Sequence, residues 1–93
     1  MNNEISEILK EFKINVKDFD YPIFGRIIKV ISKDSDLLGV FQWEVSHYYR
    51  PIDGGGVYKP SQVCAETKER AEELLLKYIE NFTNLDIEKN INY

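Results

Sequence analysis

At 93 residues, 43% apolar and 30% charged, the chain has material for one modest core and is neither a disordered tail nor a disulfide scaffold. Sixteen acidic against twelve basic residues give a net charge of −4, a poor starting point for neutralising phosphates. A single cysteine, Cys64, excludes an intrachain disulfide, and with His47 the only histidine a Cys/His metal site lacks ligands. No cofactor is expected. Glu4, Glu7 and Glu11 stand where an export signal needs an apolar core, and no apolar run approaches the ~20 residues of a membrane span. A cytoplasmic protein without membrane contact is the expectation.

In chain order, Ile5, Ile8, Leu9 and Phe12 recur at helical spacing, which predicts a short amphipathic helix from Asn3 to Lys13. A linker through Asn15 to Pro22 follows, with Phe19 as its anchor. Phe24 to Lys33 is rich in isoleucine and valine and reads as a strand ending at the turn-forming Asp34-Ser35-Asp36, closed by Gly39. Val40 to Arg50 has a period of two, with Phe41, Trp43, Val45, His47 and Tyr49 inward and Gln42, Glu44, Ser46, Tyr48 and Arg50 outward. Pro51 to Gly56 is a loop, and Val57 to Ala65 a third strand that Pro60 marks as an edge strand or one that carries a bulge. Ala71, Leu74, Leu75, Tyr78, Ile79 and Phe82 then form the apolar stripe of a second helix, with Thr67 as its N-cap. From Thr83 onward asparagines break the periodicity.

The sequence therefore predicts an α+β two-layer sandwich in the order α-β-β-β-α. A three-stranded antiparallel sheet carries the C-terminal amphipathic helix on one face. Residues 1–82 form the single domain and residues 83–93 a frayed polar tail. This order resembles the double-stranded-RNA-binding domain, which implies binding of nucleic acid partly through lysines at the start of the last helix. Here that start reads Glu66-Thr67-Lys68-Glu69-Arg70-Ala71-Glu72-Glu73, so no residue is carried over from that family.

Three short motifs lack the residues their chemistry requires. Asp34-Ser35-Asp36-Leu37-Leu38-Gly39 opens like a calcium loop, but Leu38 and Val45 stand where oxygen donors belong. Gly54-Gly55-Gly56 is followed by Val57-Tyr58-Lys59-Pro60 rather than by the lysine and hydroxyl of a phosphate loop. His47 and Cys64 would make a nucleophile–base pair only if one strand register brought them to one face. No paired carboxylates, serine triad or cofactor fingerprint is present, and an enzyme is not expected.

What remains is an aromatic concentration around one hairpin. Tyrosine and arginine bury much area with few rotors and are enriched in binding hot spots. Tyr48, Arg50, Gly54, Gly55, Gly56, Tyr58 and Lys59 are accordingly the candidate contact residues for a protein partner. The expected function is a small protein-binding or regulatory module. A nucleic-acid-binding domain is the alternative, and the acidic helices suit a partner with a basic rim.

Overall fold

The computed structural model describes residues 5–31, 40–60 and 63–93. The elements run β1 (Ser6–Ile14), β2 (Ile23–Val30), β3 (Phe41–Val45), β4 (His47–Tyr48), β5 (Cys64–Ala65), α1 (Lys68–Glu80) and β6 (Glu88–Lys89). A four-stranded antiparallel sheet has the order β1-β2-β3-β5, and β4 pairs with β6 in a second, two-stranded sheet. The α+β class with an antiparallel sheet and one long helix toward the C-terminus agrees with the sequence reading.

The first element does not. The segment expected to be a helix is strand β1, paired antiparallel with β2 along its whole length. The ladder slips between Ile8 and Lys10, so Leu9 is an extra residue on the β1 side. A bulge of this kind resets the alternation. Leu9 packs against the core, Lys10 reaches Glu72 on α1, and Phe12 again meets the core. The spacing from Leu9 to Phe12 thus fits a bulged strand as well as a helical turn, and the long Ile/Val-rich partner β2 decides between them. With a strand at this position the α-β-β-β-α order does not arise, and neither does the resemblance built on it.

The long second strand is also divided. At Ser46 the chain leaves the main sheet and passes to the β4–β6 pair. Ser46 holds the corner through a reciprocal clamp on β2: its N–H donates to Phe24 O at 2.8 Å, and its Oγ accepts the Phe24 N–H at 2.8 Å. These bonds explain why a serine read as outward is buried. The third strand survives only as β5 and a single bridge between Tyr49 and Tyr58, since Pro60 has no N–H to extend the ladder. The turn at Asp34-Ser35-Asp36 and Gly39 lies outside the described residues, as do Asn3, Glu4, Ser61 and Gln62.

Helix α1 starts as the sequence indicates. Thr67 Oγ1 accepts the Arg70 N–H at 3.1 Å, and Ala71, Leu75 and Tyr78 are buried. These residues join Ile27, Trp43, Val45, Tyr49 and Ala65 in one core cluster. Helix and sheet approach closely at Gly25 of β2, where an added Cβ would stand 2.9 Å from Leu75 Cδ1 and 3.2 Å from Ile79 Cδ1. A glycine in mid-strand is what lets α1 lie against the sheet there.

The expected frayed tail is instead docked. Thr83 Oγ1 donates to Arg50 O at 2.7 Å, Arg50 N–H donates to Leu85 O at 3.0 Å, and β6 pairs His47 with Lys89 and Tyr48 with Glu88. The Asn90 amide donates to Val45 O at 2.8 Å, and the Asn90 backbone N–H donates to Ser46 O at 2.8 Å. Tyr93 crosses the face of the sheet away from α1, its ring 4.1 Å from the Arg26 guanidinium carbon and its hydroxyl donating to Glu11 at 3.2 Å. Burial, and then the Glu11 carboxylate, push the Tyr93 phenol up to about 12. Asparagine conceals this docking in the sequence, because its value here lies in single hydrogen bonds and not in apolar periodicity.

Candidate functional site

The site is built where β3 and the return segment after the glycine loop meet α1. On the helix, Leu74, Lys77, Tyr78 and Asn81 recur at i, i+3, i+4 and i+7 and form one stripe. Facing it stand Trp43 from β3, Tyr49, and Tyr58 and Pro60 from the return segment. Together these residues line a cleft of about 420 Å³. Four aromatic rings make its walls: the Tyr78 ring lies 4.8 Å from Tyr49, 5.6 Å from Trp43 and 5.6 Å from Tyr58.

Internal hydrogen bonds hold the walls. Tyr49 OH donates to Tyr78 O at 3.2 Å, and Tyr78 OH donates to Tyr58 O at 2.7 Å. Burial raises both phenols above their ordinary value, with neighbouring tyrosines adding to the effect, so both stay protonated donors at neutral pH. The Asn81 amide donates to Lys77 O at 3.0 Å and fixes the end of the helix. Three donors of the lining have no such partner among the described residues: the Trp43 indole N–H, the Tyr58 hydroxyl and the Lys77 ammonium. The Trp43 indole N–H is buried without an acceptor among the described residues, a condition that costs about 1–3 kcal/mol. Lys77 is the only charged residue lining the cleft among the described residues, and Glu73, four residues earlier, pairs with Arg70 at 2.8 Å instead.

Of the residues singled out from the sequence, Tyr58 lines this cleft and the others do not. Tyr58 is half exposed and forms part of the wall. Gly55 and Gly56 have open space where a Cβ would project, whereas a Cβ at Gly54 would meet Pro51 at 3.0 Å. Tyr48 and Arg50 do not point freely to water. Tyr48 packs against the core, with Lys59 Nζ 5.8 Å from its ring centre, and Lys59 in turn pairs with Glu88 at 2.8 Å. Arg50 pairs with Asp86 at 2.6 Å, and its guanidinium reaches Gly54 O at 3.5 Å. The docked C-terminal segment occupies the side of the hairpin that the alternation had assigned to a partner.

His47 and Cys64 are not a pair. Cys64 lies opposite Gln42 on β3, while His47 belongs to the other sheet, opposite Lys89. The His47 ring faces Tyr21 at 5.5 Å, and its Nδ1 is 2.8 Å from Ser46 Oγ. The Ser46 hydroxyl, which accepts the Phe24 N–H, keeps a proton and a second lone pair for Nδ1, so the contact fits either tautomer of the ring. Burial, and then the charge of Lys89, lower the His47 pKa below its ordinary value. No group of three or more metal-ligating side chains occurs among the described residues. None of their helices is long and apolar enough to cross a membrane.

Sequence reasoning missed the helical half of the site. Leu74 and Tyr78 were legible as core, but Lys77 and Asn81 carry no motif, and only the packing of α1 beside Trp43 gives them a role. No protein-family model, curated protein or solved structure matches the chain.

Proposed function

We propose that this chain is a small protein-binding module without catalytic chemistry, which holds a segment of its partner in the cleft between α1 and the Tyr49–Tyr58 hairpin. The observation that carries the reading is the cleft itself: a wall of four aromatic rings kept open by their own hydrogen bonds. Tyr58 is half exposed at its edge, and the loop backbone at Gly55 and Gly56 is open to close approach. Tyr58 and the glycines stay in the contact set. Tyr48, Arg50 and Lys59 become its supports, because their polar ends bind the C-terminal segment or their rings join the core.

The nucleic-acid alternative has less to stand on. Lys10, Arg26, Arg50, Lys59 and Arg70 each pair with a carboxylate, which uses up cations that would otherwise meet phosphates.

The test is site-specific photocrosslinking in the native host, with a photoreactive phenylalanine analogue at position 58 and a control at Glu69 on the exposed start of α1. Adducts to a defined protein at position 58, absent at position 69, are expected. Adducts only at position 69, or nucleic acid as the captured species, would refute the assignment.

A further inference from the structure

The cleft also restricts what can occupy it, and we infer that its occupant is an extended peptide that lays an apolar ring, proline or aromatic, against Trp43, Tyr58 and Tyr78 and brings a carboxylate to Lys77. This rests on the reading of the chain as a protein-binding module and adds the chemistry of the bound segment.

Charge complementarity carries the argument. Around the cleft, α1 is rich in glutamate, which from sequence alone suggested a partner with a basic rim. The lining of the cleft has the opposite character: among the described residues its one charge is the Lys77 ammonium, and that ammonium forms no ion pair with any of them. Arg70 on the same helix is neutralised by Glu73, and Lys10 from β1 is neutralised by Glu72. A basic residue entering the cleft would meet Lys77 with no carboxylate on the lining to answer it, and an acidic residue would find an unpaired cation.

The hydrogen-bonding capacity points the same way. The Tyr49 and Tyr78 hydroxyl protons are committed to backbone carbonyls inside the protein. Among the described residues the exposed donors left on the lining are the Lys77 ammonium and the Tyr58 hydroxyl, while the Trp43 indole N–H is unpaired but buried behind them. A segment that brings acceptors and few donors suits such a wall. Proline has a carbonyl and no N–H, and in an extended chain its ring packs flat on aromatic surfaces. The protein already seats one of its own prolines, Pro60, in this lining.

The chain supplies its own reporter, since Trp43 is the only tryptophan and lines the cleft. A random decapeptide display library is selected on the immobilised full chain, and the enriched peptides are synthesised and titrated by Trp43 fluorescence. The titrations are repeated with Lys77→Glu and Tyr58→Ala; both substituted side chains are exposed, and the Tyr58 carbonyl that accepts from Tyr78 is retained. Enrichment of proline or aromatic residues within a few positions of Asp or Glu is expected, with a change in Trp43 emission on binding. Lys77→Glu should weaken binding roughly tenfold, as reversal of a partly exposed charge contact does. Peptides without an acidic preference that lose affinity in Tyr58→Ala but not in Lys77→Glu would overturn this inference and leave the protein-binding reading standing. An empty selection, or peptides indifferent to both substitutions, would overturn the two together.

Discussion

The close packing of α1 on the sheet at Gly25 gives a quantitative test. Gly25 sits in the middle of β2, opposite Phe12 on β1 and Val45 on β3, with Leu75 of α1 directly above it. Gly25→Ala has two opposed effects. Restricting the unfolded chain favours alanine by about 0.5–1 kcal/mol. The new methyl, however, would stand 2.9 Å from Leu75 Cδ1 and 3.3 Å from Leu75 Cδ2. Leu75 is fully buried and cannot swing into solvent to make room. Overpacking a well-filled core costs about 1–3 kcal/mol, so the net effect expected runs from none to a loss of about 2.5 kcal/mol. Leu75→Val removes the clashing reach and by itself costs about 1 kcal/mol, in the range of losing one buried methylene. Combining the two should cost at least about 1 kcal/mol less than their sum, because valine vacates the space the alanine methyl needs. Urea unfolding followed by Trp43 fluorescence and far-ultraviolet circular dichroism measures all four corners of the cycle. A stabilising Gly25→Ala, or strict additivity, would mean that α1 does not rest on this glycine.

Other expectations follow from single contacts. His47 is held neutral by burial and Lys89, so its folded pKa lies below the ordinary 6.5. The neutral ring therefore contributes stability that is full above pH 6.5 and lost as pH falls from there through the folded value. His47→Gln should reduce the difference in urea midpoint between pH 7.5 and pH 5, and an imidazole titrating at or above 6.5 by NMR would contradict this. Asn90→Ala removes the amide bond to Val45 O and should cost about 1 kcal/mol, with faster amide exchange in β6; unchanged exchange would show that the tail is held elsewhere. Tyr78→Phe takes away the donor to Tyr58 O and should loosen the return segment, read as faster exchange of the Tyr58 amide at a stability loss of about 1 kcal/mol. Arg50→Glu faces Asp86 with a like charge and should release the segment around Leu85, whereas a side chain pointing to open water would leave exchange there unaltered.

Some of this architecture is present in the amino-acid order. Helix α1 is legible because its apolar stripe, its Thr67 cap and its polar back all depend on residues within a few positions of one another, and local periodicity records such relations. The inward set Trp43, Val45 and Tyr49 is legible for the same reason, at a period of two. Tertiary structure decided the rest. β1 has apolar spacing compatible with either a helix or a bulged strand, and the 13-residue separation between Phe12 and its partner Gly25 puts the deciding hydrogen bonds beyond any local window. Ser46 and Asn90 act through one or two hydrogen bonds to a distant backbone, and neither leaves a pattern in sequence. The cleft is the clearest case. Trp43, Tyr58, Lys77 and Asn81 come from three separated stretches, and what makes them one site is the distance at which α1 rests on the sheet, set at Gly25 by the absence of a side chain.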